Sequence, residues 1–194
     1  MVKCKKMKKI LVLDNYDSFT YNLVHIIHEL GHETDVIRND EIAVEEVNKY
    51  EKILLSPGPG LPENAGIMPE LLTRYCSTKS ILGVCLGHQA IAESYAATLY
   101  NLPKVFHGIV TEIKLEKEDA LFQDVPEKFN ACRYHSWVIN EEDLPDDLLV
   151  TSRDGAGTIM SVKHTIDDVR GVQFHPESIM TEHGKQLIKN WLEL

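Results

Sequence analysis

The sequence contains no C-x-x-C pair: its four cysteines, Cys4, Cys76, Cys85 and Cys132, stand far apart. That absence removes the usual spacing of a structural zinc site and of a dithiol redox motif. It leaves free thiols, the normal state in a reducing compartment. No segment approaches the length of a membrane span. The start, MVKCKKMKKILVL, is basic and then apolar, but Asp14 stops the apolar run after ILVL. There is thus no signal-peptide core and no small-residue cleavage site, and a cytoplasmic protein without membrane contact is expected. Positive charge is also short. Twenty Lys and Arg face thirty Asp and Glu, a net charge of −10, which argues against nucleic acid as the main partner because phosphate binding needs a basic surface. Repeats, low-complexity tracts and linkers are missing too. Residues 1–194 therefore read as one domain, long enough to bury a full core without disulfide or metal staples.

What is present alternates. KKILVLDN reads as a short buried strand with an acidic tip. SFTYNLVHIIHELG reads as a helix whose Leu23, Ile26, Ile27 and Leu30 share one face, with Ser18 or Asp17 as its cap and Gly31 as its left-handed end. TDVIRND, KILLS and SILGVC read as further strands; AVEEVNKY, MPELLTRYC and GHQAIAESYAA read as helices, the first of them weak. Strand–helix alternation over residues 8–97 predicts a parallel sheet with right-handed crossovers. After about residue 98 shorter β-like pieces follow, KVFHG, IVTEIKL, LLVTSRD, GTIMSVKH and VRGVQFHPE, and then a closing helix, TEHGKQLIKNWLEL. The predicted fold is α/β, a mostly parallel central sheet flanked by helices, with a smaller antiparallel elaboration.

The functional loops of such a sheet lie at the carboxyl ends of its strands. One of them is GVCLGHQ, where Gly83 and Gly87 flank Cys85 as G-x-C-x-G. In a strand–turn–helix elbow, small neighbours allow the tight turn that exposes a nucleophile. The turn also brings backbone N–H groups and a helix N-terminus to the sulfur, which favour thiolate and can hold an oxyanion. An isolated cysteine is more often core packing; the elbow needs a base to mean chemistry. QFHPES supplies one: His175 ends a β-like run, Pro176 holds it extended, and Glu177, two residues on, points the same way to accept from the imidazole. SPGPG, Ser56–Gly60, is either a plain strand-to-helix turn or a floor that offers an N–H to an oxyanion. Together the three loops describe a Cys–His–Glu acyl-transfer site.

These residues carry a resemblance. LDNYDSFTYNLVH, LLSPGPGLPENAG, GVCLGHQAIAE, RYHSW, GTIMSVKH and GVQFHPESIMTEHGKQLIKNW span nearly the whole chain and are similar to the triad-type, class-I glutamine amidotransferases, whose fold is flavodoxin-like. DNYDSFTYNL and RYHS resemble the chorismate-using branch, the small subunits of anthranilate synthase and aminodeoxychorismate synthase. The resemblance implies that Cys85 attacks the side-chain amide of glutamine, that His175 is the base and then the acid for departing ammonia, and that Glu177 orients His175. It implies an oxyanion hole at Leu86 and the Gly58 loop, and glutamine contacts at Gly58, Pro59, Gly60, Gln89, Ser136 and Trp137. Ammonia would pass to a separate chorismate-binding large subunit, making anthranilate for tryptophan or aminodeoxychorismate for folate. No metal or organic cofactor is implied for this chain, and the segment Tyr16–Asn22 would face the partner. Two departures stand out: Ala96-Ala97 replaces the family's Gly-Gly, and Ile109 follows HG where lysine is usual.

Two other functions compete. A stand-alone γ-glutamyl amide hydrolase would use the same triad with no partner face. A silent regulatory module would be expected to lack one of Cys85, His175 or Glu177, and all three are present. His25, His28 and His32 fall on one side of the first helix; a solvated face is expected there rather than a metal site. The acidic run Glu141–Asp147 reads as a solvated loop and Cys132 as a packed thiol. The lysines from Lys3 to Lys9 read as a frayed extension, with Met7 a second possible start.

Overall fold

A computed structural model describes residues 9–194. Cys4, the second start at Met7 and the lysines before Lys9 lie outside the described residues. Lys9 itself is tied down, its Nζ 2.7 Å from Asp35 Oδ1.

Four parallel strands open the chain: β1 (Ile10–Asp14), β2 (Thr34–Arg38), β3 (Lys52–Leu55) and β4 (Ser80–Val84). Between them lie α1 (Thr20–Glu29), a short 3-10 turn at Val44–Lys49 and α2 (Met68–Tyr75). α3 (Leu86–Ser94) follows β4 with one residue, Cys85, between. Then come β5 (Leu99–Asn101), β6 (Ile109–Leu115), β7 (Lys128–Arg133), β8 (Trp137–Ile139), β9 (Leu148–Asp154), β10 (Ile159–His164), β11 (Val169–Val172) and α4 (Gly184–Glu193). Nine strands form one sheet in the order β2-β1-β3-β4-β11-β10-β9-β6-β7, and β5 pairs with β8 alone. β11 joins β4 in parallel, and from β10 outward every pairing is antiparallel. The fold is thus the expected α/β sheet with an antiparallel extension.

Strand alternation sends Leu11, Leu13, Ile53, Leu55 and Ile81 into one core with α2 and α3. Ile10, Val12, Leu54, Leu82, Val84 and Val172 go into the other, with α1 and α4. Both faces are covered, as a parallel sheet requires. No helix among the described residues is long and apolar enough to cross a membrane.

Several local expectations are corrected. KVFHG is a loop rather than a strand, because its N–H groups reach sideways: Phe106 and Gly108 donate to the carbonyls of His135 and Arg133. AVEEVNKY winds as a 3-10 turn, and β5, β7 and β8 were not anticipated. In α1 the buried stripe is Thr20, Leu23, Val24 and Ile27, with Ile26 and Leu30 only half covered. Neither Ser18 nor Asp17 is the N-cap; Phe19 is, and Asp17 Oδ1 accepts its N–H one residue early. His25 and His28 are exposed and bonded to Glu29 and Thr34. The acidic loop is exposed at Glu141–Asp143 yet pinned, since Glu141 pairs with Arg153 and Asp143 accepts the Thr98 N–H.

Two helices end in the same motif. After α1, Gly31 and His32 donate to the carbonyls of His28 and Ile27; after α3, Ala96 and Ala97 donate to those of Glu93 and Ala92. The left-handed residue is Gly31 at φ +86° in the first and Ala96 at φ +70° in the second. A side chain there costs on the order of 1 kcal/mol that glycine avoids. Ala96→Gly is therefore expected to raise the urea midpoint and Gly31→Ala to lower it, each by about 1 kcal/mol of unfolding free energy, with unchanged m-values.

Candidate active site

Cys85 links β4 to α3 at φ +52°, ψ −99°, a conformation that a side-chain-bearing residue rarely adopts. The neighbouring glycines allow it by close approach. A Cβ on Gly83 would stand 2.7 Å from the His88 nitrogen and nearer still to the Gly87 carbonyl. One on Gly87 would meet the Leu55 carbonyl oxygen at 2.6 Å. Glycines 83 and 87 thus pack the turn against itself and against β3, and that packing holds the geometry of Cys85. The first N–H groups of α3, beginning at Leu86, have no intrahelical acceptor and open toward the turn.

β11 brings His175, the expected base. It runs parallel to β4 with Val172 opposite Val84, and the Cys85 N–H extends the ladder to the Val172 carbonyl. His175 follows three residues later. Its Nδ1 lies 2.6 Å from Glu177 Oε1, and both side chains are nearly fully buried. Pro176 and Glu177 form a turn, with the Ser178 N–H bonded to the His175 carbonyl, so the contact is made around a bend and not along the expected extended segment. Thr181 Oγ1 donates to the His175 carbonyl, and the His175 N–H donates to that of Cys132. Cys132 is a fully buried packed thiol whose backbone clamps the base.

His175 Nε2 is buried without a hydrogen-bond partner, on the side away from Glu177. Burial pulls the imidazole pKa down, but the Cys85 sulfur and the Glu177 carboxylate outweigh it and raise it to about 10. The Glu177 carboxylate at Nδ1 and the Cys85 sulfur both favour the protonated ring. Aromatic edges enclose it: Tyr134 and Phe19 lie 4.9 and 6.0 Å from the His175 ring centroid.

Cys85 and His175 line one cleft of about 440 Å³. Its walls are Tyr16–Phe19 after β1, Pro57–Pro59 after β3, and His107 and Tyr134 from the antiparallel extension. Of the other expected site residues, Gly58 and Pro59 line it too. Gly58 approaches the elbow so closely that a Cβ would stand 2.8 Å from Leu86 Cδ2 and 2.6 Å from Asn15. Gly60 is exposed at φ +79° and is not part of this lining. Gln89, Ser136 and Trp137 are not in the lining; Gln89 Nε2 donates to the Trp137 carbonyl at 2.8 Å, and the Ser136 carbonyl accepts from the Leu102 N–H. A larger groove, about 650 Å³, runs along Leu115–Glu127 and holds no cysteine or histidine.

The sequence reading missed four buried groups. Gln173 touches the sulfur, its Nε2 3.6 Å from Cys85 Sγ. His88, one turn into α3, is wholly buried and packs against Gly171; burial pushes its pKa down to about 3. His135 is also driven to about 3, by burial and by the Arg133 guanidinium. Arg133 pairs with Asp154 at 2.6 Å. Each stood inside a motif already singled out: Gln173 in QFHPES, His88 in GVCLGHQ, Arg133 and His135 in RYHSW.

The glutamine amidotransferase class-I family model matches residues 11–194. Anthranilate synthase component 2 of Porphyra purpurea is 45% identical over 187 residues, 95% of this chain and 98% of that one. Aminodeoxychorismate/anthranilate synthase component 2 of Bacillus subtilis is 40% identical over 186 residues, 95% of each chain. The crystal structure of a candidate GMP synthase component from Thermoplasma acidophilum superposes with a TM-score of 0.87 at 25% identity, covering 96% of this chain and 93% of that one.

Two outcomes follow from this geometry. Replacing Cys85 with glycine releases the left-handed strain, whereas alanine keeps it, so the Gly variant is expected to be more stable than the Ala variant by about 1 kcal/mol in chemical denaturation. His175 has a folded pKa of about 10, above its unfolded value near 6.5. Its stabilising contribution is complete below about pH 6.5 and is lost as pH rises through about 10. NMR of the His175 ring should show it protonated throughout the neutral range, and Glu177→Gln should move its titration toward the ordinary value.

Proposed function

The chain belongs to the class-I glutamine amidotransferases, and on that premise we propose that it is the glutaminase subunit of a chorismate-using synthase. The observation that carries the reading is Cys85 on a strained elbow in one cleft with the His175–Glu177 pair. In the proposed reaction the Cys85 sulfur attacks the side-chain amide carbon of glutamine, and a C–S bond forms. The oxyanion is held by the N–H of Leu86 and of the Gly58 loop. His175 passes its Nε2 proton to the amide nitrogen, the C–N bond breaks and ammonia leaves. Water, deprotonated by the now neutral His175, attacks the γ-glutamyl thioester; glutamate departs and the thiolate returns. Gly58, Pro59, Gly60, Gln89, Ser136 and Trp137 are the proposed glutamine contacts, and no metal or organic cofactor enters.

Ammonia is passed to a chorismate-binding large subunit. The relatives' names support that partner, as do exposed apolar side chains: Tyr16 on the cleft wall, Tyr21 in α1, and Ile179 two residues after Glu177. The product is anthranilate or 4-amino-4-deoxychorismate, and relatives of both descriptions are similar to the chain. The cytoplasm is the proposed location, where chorismate chemistry and free thiols coexist.

The test is a product assay with the chain, glutamine, chorismate and each candidate large subunit in turn. Anthranilate or aminodeoxychorismate should form with at least one partner. Cys85→Ala should abolish the glutamine-dependent rate and leave the ammonium-dependent rate of the complex intact. Glutamate release that no partner alters would replace this reading with a stand-alone hydrolase.

A further inference from the structure

We propose that Gln173 is a catalytic residue: its side-chain amide donates a hydrogen bond to the sulfur of Cys85 and holds it as the thiolate. Gln173 Nε2 lies 3.6 Å from Cys85 Sγ, and the residue is wholly buried. An amide offers either a donor or an acceptor, and the two ends have the same shape, so the orientation must be argued from its neighbours.

The neighbours leave one choice. The Trp137 carbonyl can only accept, so the end of Gln89 facing it at 2.8 Å is the NH2. The second hydrogen of that nitrogen goes to Gln173, 3.1 Å away, and the atom receiving it is Oε1. The Gln173 NH2 is then the end turned to the sulfur. The carbonyl that starts this sequence is held in turn. His135 Nδ1 lies 3.1 Å from it, and His135 Nε2 accepts from Arg133 Nε at 3.0 Å, which fixes the tautomer with its proton on Nδ1. Arg133 is anchored by Asp154, whose other oxygen accepts the N–H groups of Ala156 and Thr158. Hydrogen bonds therefore link the buried ion pair to Cys85: His135 and Gln89 both donate to the Trp137 carbonyl, and from Gln89 onward each amide donates to the next group, ending in a donor at the sulfur.

A donor at sulfur stabilises a thiolate more than a thiol, since hydrogen bonds to charged groups are the stronger ones. The parallel pairing of β11 with β4 supplies the position: Gln173 follows Val172, which lies opposite Val84, so Gln173 comes level with Cys85. Residues 173, 175 and 177 of one short segment then provide the sulfur's donor, the proton carrier and the carrier's orienting carboxylate. Other titratable groups facing the cleft are Tyr16, Asp17, His107 and Tyr134, and none is altered by changing Gln173. The catalytic role rests on the amidotransferase reading; the contact with the thiolate does not.

The experiment measures Cys85 alkylation by iodoacetamide against pH, counted by mass spectrometry, in wild type, Gln173→Leu and Gln173→Glu. Gln173→Glu keeps the size and the acceptor toward Gln89, so it serves where the apolar variant fails to fold. Alkylation at neutral pH is expected to fall about tenfold in each, with the pH midpoint displaced upward by about one unit. Glutamine-dependent product formation with the large subunit should fall in parallel while the ammonium-dependent rate stays. A folded Gln173→Glu protein with the wild-type alkylation profile overturns the proposal. Altered alkylation in a chain that consumes no glutamine with either partner supports the contact and refutes the amidotransferase reading instead.

Discussion

The left-handed backbone at Cys85 is the constraint on which the rest of the structure depends. A conformation of this kind persists only where its surroundings over-determine it. Here they do so from three sides. Gly83 and Gly87 touch across the turn, Gly87 lies against the Leu55 carbonyl, and the Cys85 N–H is fixed by the Val172 carbonyl. Each contact belongs to a different strand of the parallel sheet, so the elbow can form only after β3, β4 and β11 have paired. The glycines around the cysteine are therefore packing residues and functional residues at once, because the packing is what presents the sulfur.

The same register explains how residues distant in the chain meet. β11 is inserted beside β4 after the chain has traversed the antiparallel extension, and the pairing Gly171–Gly83, Val172–Val84 sets Gln173 level with Cys85 and His175 just beyond it. Gly171 also leaves room for His88, whose Nδ1 would lie 2.6 Å from a Cβ there. A one-residue slip would turn Gln173 to the opposite face and close that space. Further along, Gly184 opens α4 against the Pro176 carbonyl, so the last helix fixes the turn that lets Glu177 reach back to His175.

Much of this is legible from residues alone, and the limits have physical causes. Strand–helix alternation over residues 8–97 predicts β1–β4 because buried parallel strands are apolar runs with turn residues at their ends. Cys85, His175 and Glu177 are singled out by the local motifs G-x-C-x-G and HPE, and the fold brings Cys85 and His175 to one cleft with Glu177 bonded to His175. β7, KFNACR, escapes notice because Lys and Asn interrupt its buried Phe129, Ala131 and Cys132. KVFHG misleads because its backbone bonds go to a segment nearly thirty residues away. Ala96 adopts the left-handed turn expected of glycine, which no propensity argument foresees. Gln173, His88 and Arg133 are buried polar groups whose partners are set by sheet register, and register is a property of the whole sheet.

The buried polar groups divide into two kinds by what they do with protons. His135, under burial and the field of Arg133, has its pKa driven down to about 3, so it is neutral at every ordinary pH. Only a neutral imidazole can accept from Arg133 with one nitrogen and donate to the Trp137 carbonyl with the other. His135 therefore holds the Trp137 carbonyl, to which Gln89 also donates, without titrating. His175 is equally buried, yet the sulfur on one side and the Glu177 carboxylate on the other raise it to about 10. The two environments push the histidines in opposite directions, and in the proposed reaction His135 scaffolds without titrating while His175 carries the proton. The Asp154–Arg133 pair costs desolvation that an apolar pair would avoid. Its return is orientation: Arg133 Nε donates to His135, whose other nitrogen holds the Trp137 carbonyl on which Gln89 also converges.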